Sequence, residues 1–238
     1  EPVVWVNDGM SVIAVHAFAL VTQTLELGEG WSMISLNVVP ENGVAIRDML
    51  DPYGEDLFLI KNGAGDFCVP DWGFYGFDEW NLAEGYLVNL NAAVEVSYTG
   101  SPIHPQAEIA LIAGWNMAAY YPNYELDASG PDFLVLSNIV ENVIHAKDGN
   151  GDFMIPEFGF SNMQPWVAGQ GYQINVSEDV ALVYPEAQEE NAAVMTETKR
   201  LGHWAAPVRT EENMSVLINS FSGLPVEDGD QVAAFNSA

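Results

Sequence analysis

Short runs of apolar or alternating residues, punctuated by Gly, Pro, Asn and Asp, recur along the whole chain. Leu57-Phe-Leu-Ile60, Asp66 to Val69, Gly85 to Leu90 and Val94 to Tyr98 read as strands, and so do Val143-Ile-His-Ala146, Asp152 to Ile155, Gly171 to Val176 and Val180 to Tyr184. β-Branched and aromatic side chains fit a half-buried pleated surface, and the intervening residues admit tight turns. One stretch departs from this pattern. Val44-Ala-Ile-Arg-Asp-Met-Leu50 carries helical spacing, and Phe133-Leu-Val-Leu-Ser-Asn-Ile-Val140 occupies the same place further on. Asn91-Ala92 and Ser177-Glu178 fit short connections between the last two strands of each set.

The two sets are copies of one another. Lys61-Asn-Gly-Ala-Gly-Asp-Phe-Cys-Val-Pro-Asp-Trp-Gly-Phe74 returns as Lys147-Asp-Gly-Asn-Gly-Asp-Phe-Met-Ile-Pro-Glu-Phe-Gly-Phe160, an offset of 86 residues. Trp80 falls on Trp166, Gly85-Tyr86 on Gly171-Tyr172, Asn89 on Asn175 and Tyr98 on Tyr184. Upstream, Gly30-Trp31-Ser-Met33 matches Gly114-Trp115-Asn-Met117 at an offset of 84. Self-similarity at a fixed period marks a repeated structural unit. With four or five short strands per copy, the expected fold class is all-β: two tandem small β-sandwich or barrel repeats, flanked by strands of a further β module. The expected divisions are 1–24 (first strands of the split module), 25–100 (repeat 1), 107–185 (repeat 2), 186–200 (an acidic, Ala-rich linker) and 201–238 (last strands of the split module).

Composition narrows the partners. A hydrophobic fraction of 49% with 11% aromatics supplies material for cores and argues against a disordered chain. Six Lys and Arg against 34 Asp and Glu give a net charge of -28, which repels nucleic acid and anionic membrane surfaces. The single cysteine, Cys68, forms no internal disulfide and sits in a strand, where a buried thiol is the expected state. No apolar run is long enough to span a bilayer. The chain opens on Glu1 and is expected to be a mature or excised fragment.

The Gly-Trp-x-Met-Ile-Ser strand at Gly30, the Lys61-Asn-Gly-x-Gly-x-Phe67 turn and the Trp80-Asn-x-x-Glu-Gly-Tyr86 strand resemble a module of large secreted and surface proteins. These occur in Bacteroidota and related bacteria, and are often exported by a type IX route. The resemblance runs over residues 25–185 and implies an extracellular or cell-surface location and an accessory role. Met214-Ser-Val-Leu-Ile218 with Gly229-Asp-Gln-Val-Ala-Ala-Phe235 resembles a second module of such proteins, and Val3 to Val15 looks like its missing half. The sequence therefore reads as one β module divided between the chain ends. Val3, Val4, Trp5 and Val6 would complete the edge that contains Val232 and Phe235, within one chain or head to tail between chains.

Candidate chemistry is sparse. Asp148, Asn150 and Asp152 alternate oxygen ligands as a calcium loop does. Position twelve of that loop is Gly159, and copy one reads Asn62-Gly-Ala-Gly-Asp66, so a tight Gly-rich hairpin is the competing reading. His16, His104, His145 and His203 form no zinc-ligand pattern, and neither a nucleophile elbow nor a phosphate-cradling loop occurs. No cofactor is required and no enzyme is expected, with calcium the one candidate ion. Trp72, Trp80 and Trp166, in aromatic-rich loops, are candidate glycan contacts; the competing reading has the loop aromatics capping the core. The expected function is a non-catalytic extracellular structural or adhesive module, partnered by copies of itself as a fibre or surface-layer subunit or by other surface proteins. The alternative is a carbohydrate-binding accessory module of a larger secreted enzyme.

Overall fold

The computed structural model describes residues 20–187 in full, together with the backbone of residues 3–7 and 12–16. The chain divides into two units. In the first, β1 (Val3–Asn7) and β2 (Val12–His16) pair antiparallel, with Val3 opposite His16 and Asn7 opposite Val12. The expected partner strand carrying Val232 and Phe235 lies outside the described residues, as do residues 188–200 of the expected linker.

The second unit holds both repeats and is all-β with little helix. Repeat 1 comprises β3 (Val21–Leu27), β4 (Gly30–Ile34), β5 (Val38–Pro40), the short helix α1 (Ile46–Leu50), β6 (Leu57–Lys61), β7 (Phe67–Val69), β8 (Phe74–Tyr75), β9 (Tyr86–Leu90) and β10 (Val94–Pro102). Repeat 2 comprises β11 (Ile109–Leu111), β12 (Gly114–Ala118), β13 (Val143–Lys147), β14 (Phe153–Ile155), β15 (Phe160–Ser161), β16 (Tyr172–Val176) and β17 (Val180–Leu182). Each repeat packs a five-stranded antiparallel sheet, β4-β9-β6-β7-β8 or β12-β16-β13-β14-β15, on a smaller one, β3-β10-β5 or β11-β17. The core lies between them, where Tyr86, Val88 and Leu90 of β9 meet Leu25, Val96 and Tyr98 of the small sheet.

The expected hairpin at Asn91-Ala92 is not one. β9 pairs with β4 and β6, and β10 pairs with β3 and β5, so the chain leaves one sheet there and enters the other. Gly28-Glu29 makes the same crossing alongside it, since Leu27 faces Val94 and Gly30 faces Leu90. A ribbon of two strands thus bends bodily around a corner, a common way to close a β-sandwich. Ser177-Glu178 crosses likewise between β16 and β17. The corner needs a backbone that L-residues resist: Gly30 has φ +94° and Gly114 φ +98°. That requirement accounts for the glycine of the duplicated Gly-Trp-x-Met strand.

The segment at Val44 does form α1, with Ile46, Met49 and Leu50 buried. Its counterpart at Phe133 instead makes two single 3₁₀ turns, Leu134–Leu136 and Val140–Asn142. Both bury apolar side chains in the core of their sandwich.

The repeats join through a reciprocal contact. Gly85 N–H donates to Met117 O at 3.1 Å, and Gly171 N–H donates to Met33 O at 3.2 Å. Ala119 N–H donates to Ala83 O and Ser35 N–H to Gly169 O, each at 3.0 Å. These are equivalent bonds in opposite senses, the signature of an isologous interface about a local twofold axis. Gly85 and Gly171 sit on that axis. A Cβ on Gly171 would stand 2.7 Å from Ile34 O and 3.0 Å from Gly85 Cα, so only glycine fits. The Gly-rich turns share the interface: Gly149 packs on Met33, and Gly63 on Met117. The duplicated motif therefore encodes its own partner surface.

Candidate functional site

The five-stranded sheets each turn one face to the core and one away from it. None of their ten strands contains Asp or Glu, in a chain with 34 of them. On β12, β16 and β13, Trp115 stands opposite Asn175, which stands opposite His145. The Trp115 and His145 rings meet edge to face at 5.3 Å, His145 and Phe153 at 5.4 Å, and Phe153 and Phe160 lie 5.2 Å apart. Lys147 Nζ lies 5.0 Å from the Trp115 ring centre, a cation–π distance. Repeat 1 repeats the layout: Trp31 opposite Asn89 opposite Leu59, Lys61 opposite Phe67, and Phe67 5.0 Å from Phe74.

Many of these side chains reach water, while His145 and Phe153 are only partly exposed. Trp31 is 55% exposed and Trp115 48%, while Trp72 and its counterpart Phe158, at the tips of the following 3₁₀ turns, reach 76% and 74%. Phe74 and Phe160 are also exposed. Single exposed apolar residues are ordinary; the same positions exposed and aromatic in both copies are not. Lys61 and Lys147 occupy equivalent places on these faces, and Arg47, the other described cation, lies 3.8 Å over Tyr75.

The two faces meet at the local axis. Lys61 and Leu87 from one and Trp115 and Gln173 from the other line a single shallow groove of about 300 Å³. Two further grooves, of about 250 and 280 Å³, flank it at equivalent positions around Trp31 and Trp115. None is a closed cavity.

Trp80 and Trp166 lie elsewhere. They are 2% and 0% exposed, and their indoles pack on Tyr86 at 4.1 Å and on Tyr172 at 3.7 Å. Neither can offer a ring face to a ligand, because each closes the core beneath the aromatic loop. Burying an indole of about 150–250 Å² contributes roughly 4–6 kcal/mol, and that is their role. Of the three glycan candidates, only Trp72 remains exposed.

The calcium candidates brace a turn. Asp148 Oδ1 accepts the Asn150 and Asp152 N–H groups at 2.8 and 2.9 Å, and Asn62 Oδ1 accepts Asp66 N–H at 2.8 Å in the other copy. Asp152 Oδ1 accepts from Asn162 Nδ2 at 2.9 Å. Among the described residues, no group of three His, Cys, Asp or Glu converges on a point that could hold a metal. Cys68 is buried, and desolvation raises its thiol pKa, which disfavours the thiolate.

Trp31 and Trp115 are not among the candidate glycan contacts read from the sequence. A signal was present: β9 reads Tyr86-Leu-Val-Asn-Leu90, so the polar Asn89 marks the outward register, and Trp31 is its neighbour across the strand. No family model, no curated protein and no solved structure matches the chain.

Proposed function

We propose that this chain is a non-catalytic extracellular module, structural or adhesive, that binds through the outward faces of its two large sheets. One observation carries the reading. Each repeat presents an exposed row of aromatic residues, free of carboxylates, at matching positions on a rigid sheet. Keeping such side chains in water at those positions in both copies has no use within the fold, where each core is already closed. The extracellular placement rests on the sequence resemblance, and head-to-tail assembly through the divided terminal module belongs to the same proposal.

Adsorption of the purified full chain to surface films tests the reading, with a quartz microbalance loaded with polysaccharide, with unrelated protein, or with the chain itself. Saturable adsorption to at least one film, lost in a Trp31→Ala/Trp115→Ala variant, is the expected result. Adsorption to none, or adsorption that ignores the double substitution, removes it.

A further inference from the structure

Building on the adhesive reading, we propose that the joined outward faces form a binding platform for a neutral polysaccharide chain, with Trp31 and Trp115 as its two principal stacking contacts. The argument begins with the mixture of groups. A sugar ring has apolar C–H faces and a rim of hydroxyls, so its binding surface needs aromatic area interleaved with donors and acceptors that carry no net negative charge. Trp115, Asn175 and His145 lie side by side across three strands, and Trp31 and Asn89 repeat the pairing in the other copy. Gln173 and Lys61 stand at the groove between them. The amides can both donate and accept, as hydroxyls require.

Charge selects the class of glycan. At -28, the chain repels polyanions at long range, and one lysine per face does not reverse that field. The strands of the faces carry no carboxylate, Glu26 and Glu84 standing only in the flanking grooves, so a neutral ligand laid across the strands settles without stranding an anion beneath it. Duplication selects a polymer. The local twofold presents the Trp–Asn pair, the Lys and the Phe pair twice, on either side of a groove of about 300 Å³ that both copies line. A ligand that uses both copies must itself repeat. Stacking on C–H faces does not read chain direction, so the reversal imposed by the twofold is no obstacle. Engaging both copies then raises affinity by effective concentration, without new kinds of contact.

Affinity electrophoresis of the full chain measures this, using gels that contain neutral polysaccharides (a β-glucan, xyloglucan, a galactomannan, an arabinoxylan, starch) or anionic ones (alginate, polygalacturonate). Pull-down on cellulose and chitin extends the panel. The expected result is retention by at least one neutral polymer and by neither anionic one. Trp31→Ala and Trp115→Ala should each weaken that retention at least ten-fold, whereas oligosaccharides too short to bridge the faces should bind weakly. Both residues are half exposed, so thermal midpoints and near-ultraviolet spectra of the variants should show an intact fold. No retention across the neutral panel, or retention that survives the double substitution, overturns the proposal. If the chain adsorbs in a Trp-dependent way only to protein films or to itself, the glycan is overturned while the adhesive reading stands.

Discussion

The two repeats are one design executed twice, and their differences separate what the design needs from what it tolerates. In repeat 1 the crossover segment is α1 followed by a 3₁₀ turn that buries Tyr53 beside Tyr98. In repeat 2 it is two isolated 3₁₀ turns, and the comparable space is taken by Tyr120, which stands where repeat 1 has Leu36. Tyr120 packs 4.9 Å from Tyr184, the counterpart of Tyr98. Even the hydroxyls differ: Tyr98 donates to Met49 O and Tyr184 to Ala119 O, both at 2.7 Å. The corner glycines, the outward aromatics and the axis contacts are common to both copies. Core filling is thus interchangeable as long as volume is kept, while the corner glycines, the reciprocal backbone bonds and the outward Trp and Phe positions are retained in both copies.

The largest effect is expected in the cores. Trp166 stacks flat on Tyr172, with 2° between the rings, and also meets Tyr120 and Tyr184 edge to face; Trp80 is tilted by 37° on Tyr86 and has Tyr98 at 6.4 Å. Trp166→Ala and Trp80→Ala should each cost about 3–5 kcal/mol in urea unfolding, with Trp166 the more costly. If Trp80→Ala proves the worse, ring stacking does not distinguish the two cores.

The interface comes next, and there the two halves are not quite equal. A methyl on Gly171 meets Ile34 O at 2.7 Å, whereas one on Gly85 meets Ala118 O at 3.1 Å. Gly171→Ala should destabilise by about 1–3 kcal/mol and Gly85→Ala by less. Ser35 adds a contact that its counterpart Ala119 cannot make. Its hydroxyl donates to Gln170 O at 2.6 Å and accepts the Tyr120 N–H at 3.0 Å, the second bond fully buried. Ser35→Ala leaves that N–H without a partner and should cost about 1–3 kcal/mol by the same measurement. A cost near zero would mean that the reciprocal backbone bonds alone hold the repeats together.

Much of this was legible beforehand, and what was not has a physical reason. The duplication, the strands and the α1 segment follow from periodicity, a local property of the chain. The crossing at Asn91-Ala92 does not, because a two-residue link looks the same whether the next strand pairs with its neighbour or joins the opposite sheet. The burial of Trp80 and Trp166 was hidden for a related reason. Trp80 lies in the loop before β9 and is buried by packing on Tyr86, whereas Trp31 lies in β4 and is turned outward by strand register. Neither fact is local to the residue's neighbours in sequence. In the Gly-rich turn, Asp148 and Asn62 brace the backbone with the same oxygens that a calcium loop would use, so the sequence pattern alone does not separate the two readings.

The smallest effect separates the outward faces themselves. Where repeat 1 has Leu59, repeat 2 has His145, set between the Trp115 and Phe153 rings with Nε2 buried and unpartnered. Burial lowers its pKa from the ordinary 6.5, and the charge on Lys147 adds to the shift. The unfolded chain therefore binds this proton more readily than the folded one. The stability that His145 contributes while neutral is fully present above pH 6.5 and is lost as pH falls through the lower folded value. Urea midpoints followed from pH 8 to about pH 5 should accordingly fall more steeply for the native chain than for His145→Leu, which installs the repeat 1 residue. The carboxylates titrate in both proteins, so the difference between the two curves isolates the imidazole. Parallel curves would place His145 in water in both states, and the aromatic row of repeat 2 would then be as open to solvent as that of repeat 1.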